Sequence, residues 1–115
     1  MKSTIGNKRN SWRESDVLEK ELRFESGITR PMLSGIKRHT IRWGKRKFAR
    51  NITIHGRPAE VHWFKHTSLL HMDMKLLSNE FGFVSMFNAL FALQKYYPGI
   101  TINDPITIVE YRLVV

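Results

Sequence analysis

Between Ser26 and Ala59 the chain carries no acidic side chain, yet Arg30, Lys37, Arg38, Arg42, Lys45, Arg46, Lys47, Arg50 and Arg57 all fall in that interval. Nine uncompensated cations equal the whole formal net charge of +9, which arises from 19 Lys and Arg against 10 Asp and Glu. Like charges repel and weaken a fold, so an ordinary solvated face mixes signs. A one-sign block must lie where water or a partner screens it. It reads either as a solvated edge strand, where charge blocks unwanted pairing, or as a face that meets a polyanion. Nucleic acid is the leading polyanion and an anionic membrane surface the weaker one.

The densest part of the block runs from Gly35 to Lys47 and holds six cations, with His39, Thr40 and Trp43. Gly35 can take the positive φ that closes a short helix or turn. After it, Lys37, His39 and Ile41 alternate with Arg38, Thr40 and Arg42, the period of a strand. Lys37 and Thr40 therefore point to opposite faces unless the backbone twists or bulges.

A chain of 115 residues with 42% hydrophobic and 11% aromatic content is expected to form one domain with a real core. The absence of cysteine removes disulfides, thiolate zinc sites and a cysteine nucleophile. No run approaches the roughly 18 apolar residues of a membrane span, and the first residues lack a signal peptide's apolar core. A cytoplasmic protein with no membrane partner is the expectation.

Residues 1–14 read as a flexible basic arm, with Lys2, Lys8, Arg9 and Arg13. Val17 to Phe24 alternates as a first strand, although its Glu and Lys could equally support a short helix. Thr29 is placed to cap a helical turn begun by Arg30-Pro31 and stopped by Gly35. Beyond the basic strand, Asn51 to His55 and Ala59 to Leu70 form a hairpin about Gly56-Arg57, with Val61, Trp63 and Leu69 on the longer strand's apolar side. His62, His66 and Glu60 would share a face of that strand. Metal sites bring tighter spacings or several elements, so these read as surface histidines and no metal site is expected. Met74 to Phe81 is a helix ended by Gly82. Ser85 caps a second, running to about Tyr96, whose Phe87, Leu90, Phe91 and Leu93 form a core stripe. Asn103-Asp104-Pro105 turns into a last strand, with Val109, Tyr111, Leu113 and Val115 on one face.

Met32-Leu33-Ser34-Gly35-Ile36-Lys37-Arg38-His39-Thr40-Ile41-Arg42 resembles the signature of the ASCH family, a short helix ending in glycine and then a basic residue, threonine, an aliphatic and arginine. Glu80-Phe81-Gly82-Phe83-Val84-Ser85, Tyr97-Pro98-Gly99 and Ile106-Thr107-Ile108-Val109-Glu110-Tyr111 resemble its later segments, so the likeness spans roughly residues 28–113. It implies an α+β fold over residues 15–115, a small PUA-like mixed β-barrel with flanking helices, and an association with RNA and modified bases. One branch of the family hydrolyses N4-acetylcytidine. Lys37, Thr40 and Glu80 fall on its catalytic positions, lysine and threonine in the first motif and glutamate before the long helix. A desolvated lysine can serve there as a base, activating the threonine hydroxyl or a water.

On the strength of the cationic block, binding ranks first among the functions. Lys37, Arg38, Arg42, Lys45, Arg46, Lys47 and Arg50 would grip the phosphates of single-stranded RNA, favoured over DNA. Trp43, with Trp63, would offer a stacking face, and His39 and Thr40 would bond a base edge. The alternative is hydrolysis in the same cleft, of N4-acetylcytidine or of RNA. A third reading is an adaptor for an acidic protein. No cofactor is expected.

Overall fold

A computed structural model describes residues 17–115, so the expected arm at residues 1–14 lies outside the described residues. The elements are β1 (Leu18–Leu22), β2 (Arg38–Trp43), β3 (Lys47–Ile54), β4 (Arg57–Thr67), α1 (Met74–Phe81), α2 (Met86–Gln94) and β5 (Ile106–Leu113). Short 3-10 turns occupy Arg30–Ser34 and Leu69–His71. The strands make one sheet in the order β1-β3-β4-β5-β2, with β1 parallel to β3 and the other pairs antiparallel. The domain is α+β, as the sequence implies.

The sheet is not closed into the barrel that the resemblance implies, because β1 and β2 are its edges. Closure would need a ladder between them, and β1 has five residues with a register break between Glu19 and Glu21. The sheet still curls around an apolar core of Leu22, Met32, Phe48, Ile52, Val61 and Tyr111. A second core fills its other face, where Leu77 of α1 and Ala89 and Leu93 of α2 cover Ile41, Ile106 and Ile108. β5 lies between β4 and β2 and feeds both cores: Val109, Tyr111 and Leu113 enter the first, Ile106 and Ile108 the second. The face expected for Val109, Tyr111 and Leu113 is present, while Val115 lies beyond the strand and is exposed.

Turn chemistry sets the boundaries. Gly35 ends the first 3-10 turn at φ 72°, with its N–H donating to Met32 O. A Cβ there would crowd the exposed tip of Val115, at 3.0 Å, and meet Leu113 O at an ordinary 3.7 Å, so backbone strain dominates any substitution. Gly35→Ala is expected to cost about 1–2 kcal/mol, read as a lowered urea midpoint with an unchanged slope. The β3–β4 hairpin turns on His55 and Gly56, both with positive φ, as a two-residue turn demands. β3 itself begins at Lys47, four residues before the expected Asn51, and β4 ends at Thr67.

Two apolar assignments change. Val61 lies opposite Tyr111 and Trp63 opposite Glu110, so a bulge inserts His62 and turns Trp63 to the face opposite Val61. The same bulge breaks the expected alignment of His62 with His66. In α2 the core residues are Ala89 and Leu93, with Leu90 partly buried, while Phe87 and Phe91 remain 52% and 63% exposed. No charged residue marks a solvent side on this helix, so its periodicity cannot select the buried face. Among the described residues, no single helix is long and apolar enough to cross a membrane.

Candidate functional site

Edge strand β2 opens onto a cleft of about 340 Å³. Four successive residues, His39, Thr40, Ile41 and Arg42, line it. Successive strand side chains point to opposite faces, so a cleft reached by all four runs along the strand's edge. One wall is the segment Arg23 to Ser26 that leaves β1, and the other is built from Phe81, Phe83, Leu93, Tyr96 and Tyr97. The cleft therefore occupies the seam left between the two edges of the curled sheet. The ring of His55 props the first wall, with Nε2 3.0 Å from both N and O of Phe24. The Phe24 ring packs against Tyr111 at 5.5 Å.

Arg42 is the half-buried cation of this seam, which the exposed Arg23 and Glu25 also line. Its guanidinium lies 4.8 Å from the centroid of the Phe24 ring, and its Nε is buried without a hydrogen-bond partner. Among the described residues no carboxylate pairs with it; Glu19, the acid that acts on it from a distance, is bonded to Arg46. Burial disfavours the charged form and pulls the group below the ordinary arginine value, with Arg46 adding repulsion while Tyr97, Tyr111 and Glu19 oppose the shift. A half-buried cation without a counter-ion among the described residues, walled by aromatic rings, is chemically a receptor for an anion on a planar ligand. Thr40, beside it, adds a hydroxyl to the lining.

At the other end His39 is clamped between acids. Its Nδ1 lies 2.8 Å from Glu80 Oε1 and its Nε2 3.1 Å from Glu110 Oε2. Trp63 and Phe81 pack on its ring at 5.4 and 6.5 Å. Lys37 joins through Glu110, Nζ to Oε1 at 3.9 Å, and its side chain is 55% exposed.

The three residues of the hydrolase pattern are thus distributed rather than joined. Glu80 is engaged by His39 and Lys37 by Glu110, and no hydrogen bond or ion pair links Lys37, Thr40 and Glu80 to one another. Strand alternation accounts for part of this: Lys37 and His39 lean toward the helix side, while Thr40 lies opposite Val109 of the other core. An exposed ammonium beside a carboxylate also lacks the dry pocket that a lysine base needs.

Elsewhere the basic block divides between structure and surface. Arg46 is structural: its Nε donates to Trp43 O at 3.0 Å, its Nη1 donates to Glu19 Oε1 at 3.4 Å, and its backbone N–H donates to Thr107 Oγ1 at 2.9 Å. Trp43 belongs to the helix-side core, partly buried and edge-on to Tyr97 at 5.7 Å, so it is no open stacking platform. Arg38 lies opposite Tyr111 in the β2–β5 ladder, and burial pushes the titration of that phenol upward against the pull of Arg38 and Arg42. Lys45 and Arg50 are exposed and Lys47 is half-buried. The histidines go separate ways: His66 Nε2 bonds Arg46 O at 2.8 Å and His71 Nδ1 bonds Ser68 Oγ at 3.0 Å. Among the described residues no group of acids and histidines could hold a metal ion.

Glu110 and the ring wall of Phe24, Tyr96 and Tyr97 carry no functional assignment from sequence. Glu110 alone had a local signal, as the one acid inside the apolar strand β5. The wall depends on segments some seventy residues apart meeting at the seam, which no local pattern encodes. Comparison with family models, with curated proteins and with solved structures returns no match.

Proposed function

We propose that this chain binds single-stranded nucleic acid, RNA in preference to DNA, by seating a base in the seam beside β2. The observation that carries this reading is Arg42, a partly desolvated guanidinium in an aromatic-walled cleft with no acidic partner among the described residues. A phosphate supplies the missing counter-ion through charge-assisted hydrogen bonds, and Tyr96 or Phe83 gives the base a ring to stack on. The exposed cations Lys45 and Arg50 extend the positive field beyond the cleft. The ASCH resemblance of residues 28–113 supports RNA and modified bases as the ligand class. The hydrolytic alternative is weakened by the exposed position of Lys37 beside Glu110.

The test is anisotropy of a fluorescein-labelled single-stranded RNA titrated with protein over a range of salt. Log affinity is expected to fall linearly with log salt, with a slope of about −0.7 for each phosphate contact. Lys45→Glu combined with Arg50→Glu, both away from the structural bonds of Arg46, is expected to weaken binding uniformly across RNA sequences and to flatten the slope. No binding at low salt, or binding indifferent to salt, contradicts the reading.

A further inference from the structure

Glu25 is the acid that lines the seam, and among the described residues it makes no hydrogen bond or ion pair. A tight turn sets its place. The N–H of Gly27 donates to Phe24 O at 2.9 Å, Gly27 takes φ 74°, and the His55 ring bonds the backbone of Phe24. Glu25 and Ser26 are the two central residues of that turn, and both reach the cleft. A free carboxylate repels the phosphates of the strand that Arg42 attracts, so it weakens binding unless the ligand offers it hydrogen-bond donors. The charges that act on Arg42 are those of Arg46, Tyr97, Tyr111 and Glu19, so Arg42 and Glu25 do not neutralise each other. The cleft of about 340 Å³ lies at the small end of ligand sites, with room for one nucleotide.

We infer that Glu25 makes the seam selective for guanine, a preference that deepens the reading of the seam as a site for single-stranded RNA and rests on it. An ionised carboxylate has two oxygens and only accepts. The Watson–Crick edge of guanine carries two neighbouring donors, the ring N–H and the exocyclic amino group, which match those two oxygens. Cytosine and adenine each set an amino group beside a ring nitrogen that accepts, and uracil sets its one N–H between two carbonyls. Each of those bases turns a lone pair on the second oxygen. The carbonyl that completes guanine's edge needs a donor, and the hydroxyls of Ser26 and Thr40 line the same cleft. Unpaired bases in a single strand leave this edge free to be read. Stacking on Tyr96 or Phe83 is indifferent to the base and Arg42 holds the phosphate, so the choice of base falls to the turn.

The test is anisotropy with short fluorescein-labelled oligouridines that carry G, A, C or U at one central position, at fixed low salt. The guanine oligonucleotide is expected to bind about tenfold more tightly than the other three, within the range of one bidentate pair. Inosine at that position lacks the exocyclic amino group and is expected to fall to the level of the rest. Glu25 is exposed and unbonded among the described residues, so its variants are expected to keep the wild-type urea midpoint. Glu25→Ala is expected to bring guanine within about twofold of the other bases, which bind no worse than before. Glu25→Gln presents one acceptor and one donor, and is expected to raise adenine and cytosine to the level of guanine. A wild type that binds RNA without base preference would overturn the inference and leave the binding reading standing. So would a guanine preference that survives E25A, or a gain in affinity equal for all four oligonucleotides, which would make Glu25 a surface charge only. RNA that binds in none of the four forms refutes the binding reading and the guanine preference with it.

Discussion

Replacing Arg42 with Met is expected to lower affinity for single-stranded RNA by about tenfold to a hundredfold while leaving the fold as stable as before, or more so. The first half follows from the value of a hydrogen bond to a charged group, about 1.5–3 kcal/mol, since each 1.4 kcal/mol is about a factor of ten in affinity. The second half separates a binding residue from a structural one. In the free protein Arg42 is a partly buried cation whose Nε has no partner and whose charge burial disfavours. Met keeps an apolar stem against Phe24 and removes the cost of dehydrating the guanidinium. Paired anisotropy and urea unfolding check both halves. Loss of binding in step with loss of stability would make Arg42 a part of the scaffold.

Thr107→Val is expected to destabilise the protein by about 2–4 kcal/mol, although it changes no volume to speak of. Thr107 is fully buried at the corner between β2 and β3. Its hydroxyl donates to Gly44 O at 2.6 Å and accepts from Arg46 N at 2.9 Å. Valine fills the same space but leaves both backbone groups without that partner, at about 1–3 kcal/mol for each one buried. The corner also aims the end of β2, so the cleft should loosen with it. Urea unfolding gives the stability loss. Thr107→Ser, which keeps the hydroxyl, is expected to restore most of it.

The contrast between Arg42 and Arg46 shows what the sequence made legible. Both lie in the acid-free block, and the block correctly placed a cationic edge strand after Gly35, whose left-handed φ ends the preceding turn as its position implies. Local chemistry also set the α1 stop at Gly82 and the α2 start at Ser85, whose hydroxyl accepts from Asn88 N. Composition cannot say which cation finds an acid. Glu19 lies 27 positions before Arg46 and reaches it only because β1 runs parallel to β3. The same limit hid the pairing of His39 with Glu80, separated by 41 positions. A one-residue bulge at His62 then turned Trp63 toward His39, an event that strict alternation does not signal. Trp43, read as a stacking face for its place among cations, went to the core because the opposite ladder partner, Ile106, lies there.

The most direct measurement is the Arg42 side-chain Nε–H resonance as unlabelled single-stranded RNA is added to labelled protein. This proton is buried and lacks a partner in the free protein, so a phosphate oxygen arriving at the guanidinium must change it. A saturable downfield shift is expected, with parallel changes at the amides of Phe24, Thr40 and Tyr96 around the seam and little at the buried Thr107. Shifts confined to Lys45, Arg50 and other exposed cations, with the Arg42 resonance unmoved at saturation, would show that RNA meets only the charged surface and that the seam is not its site.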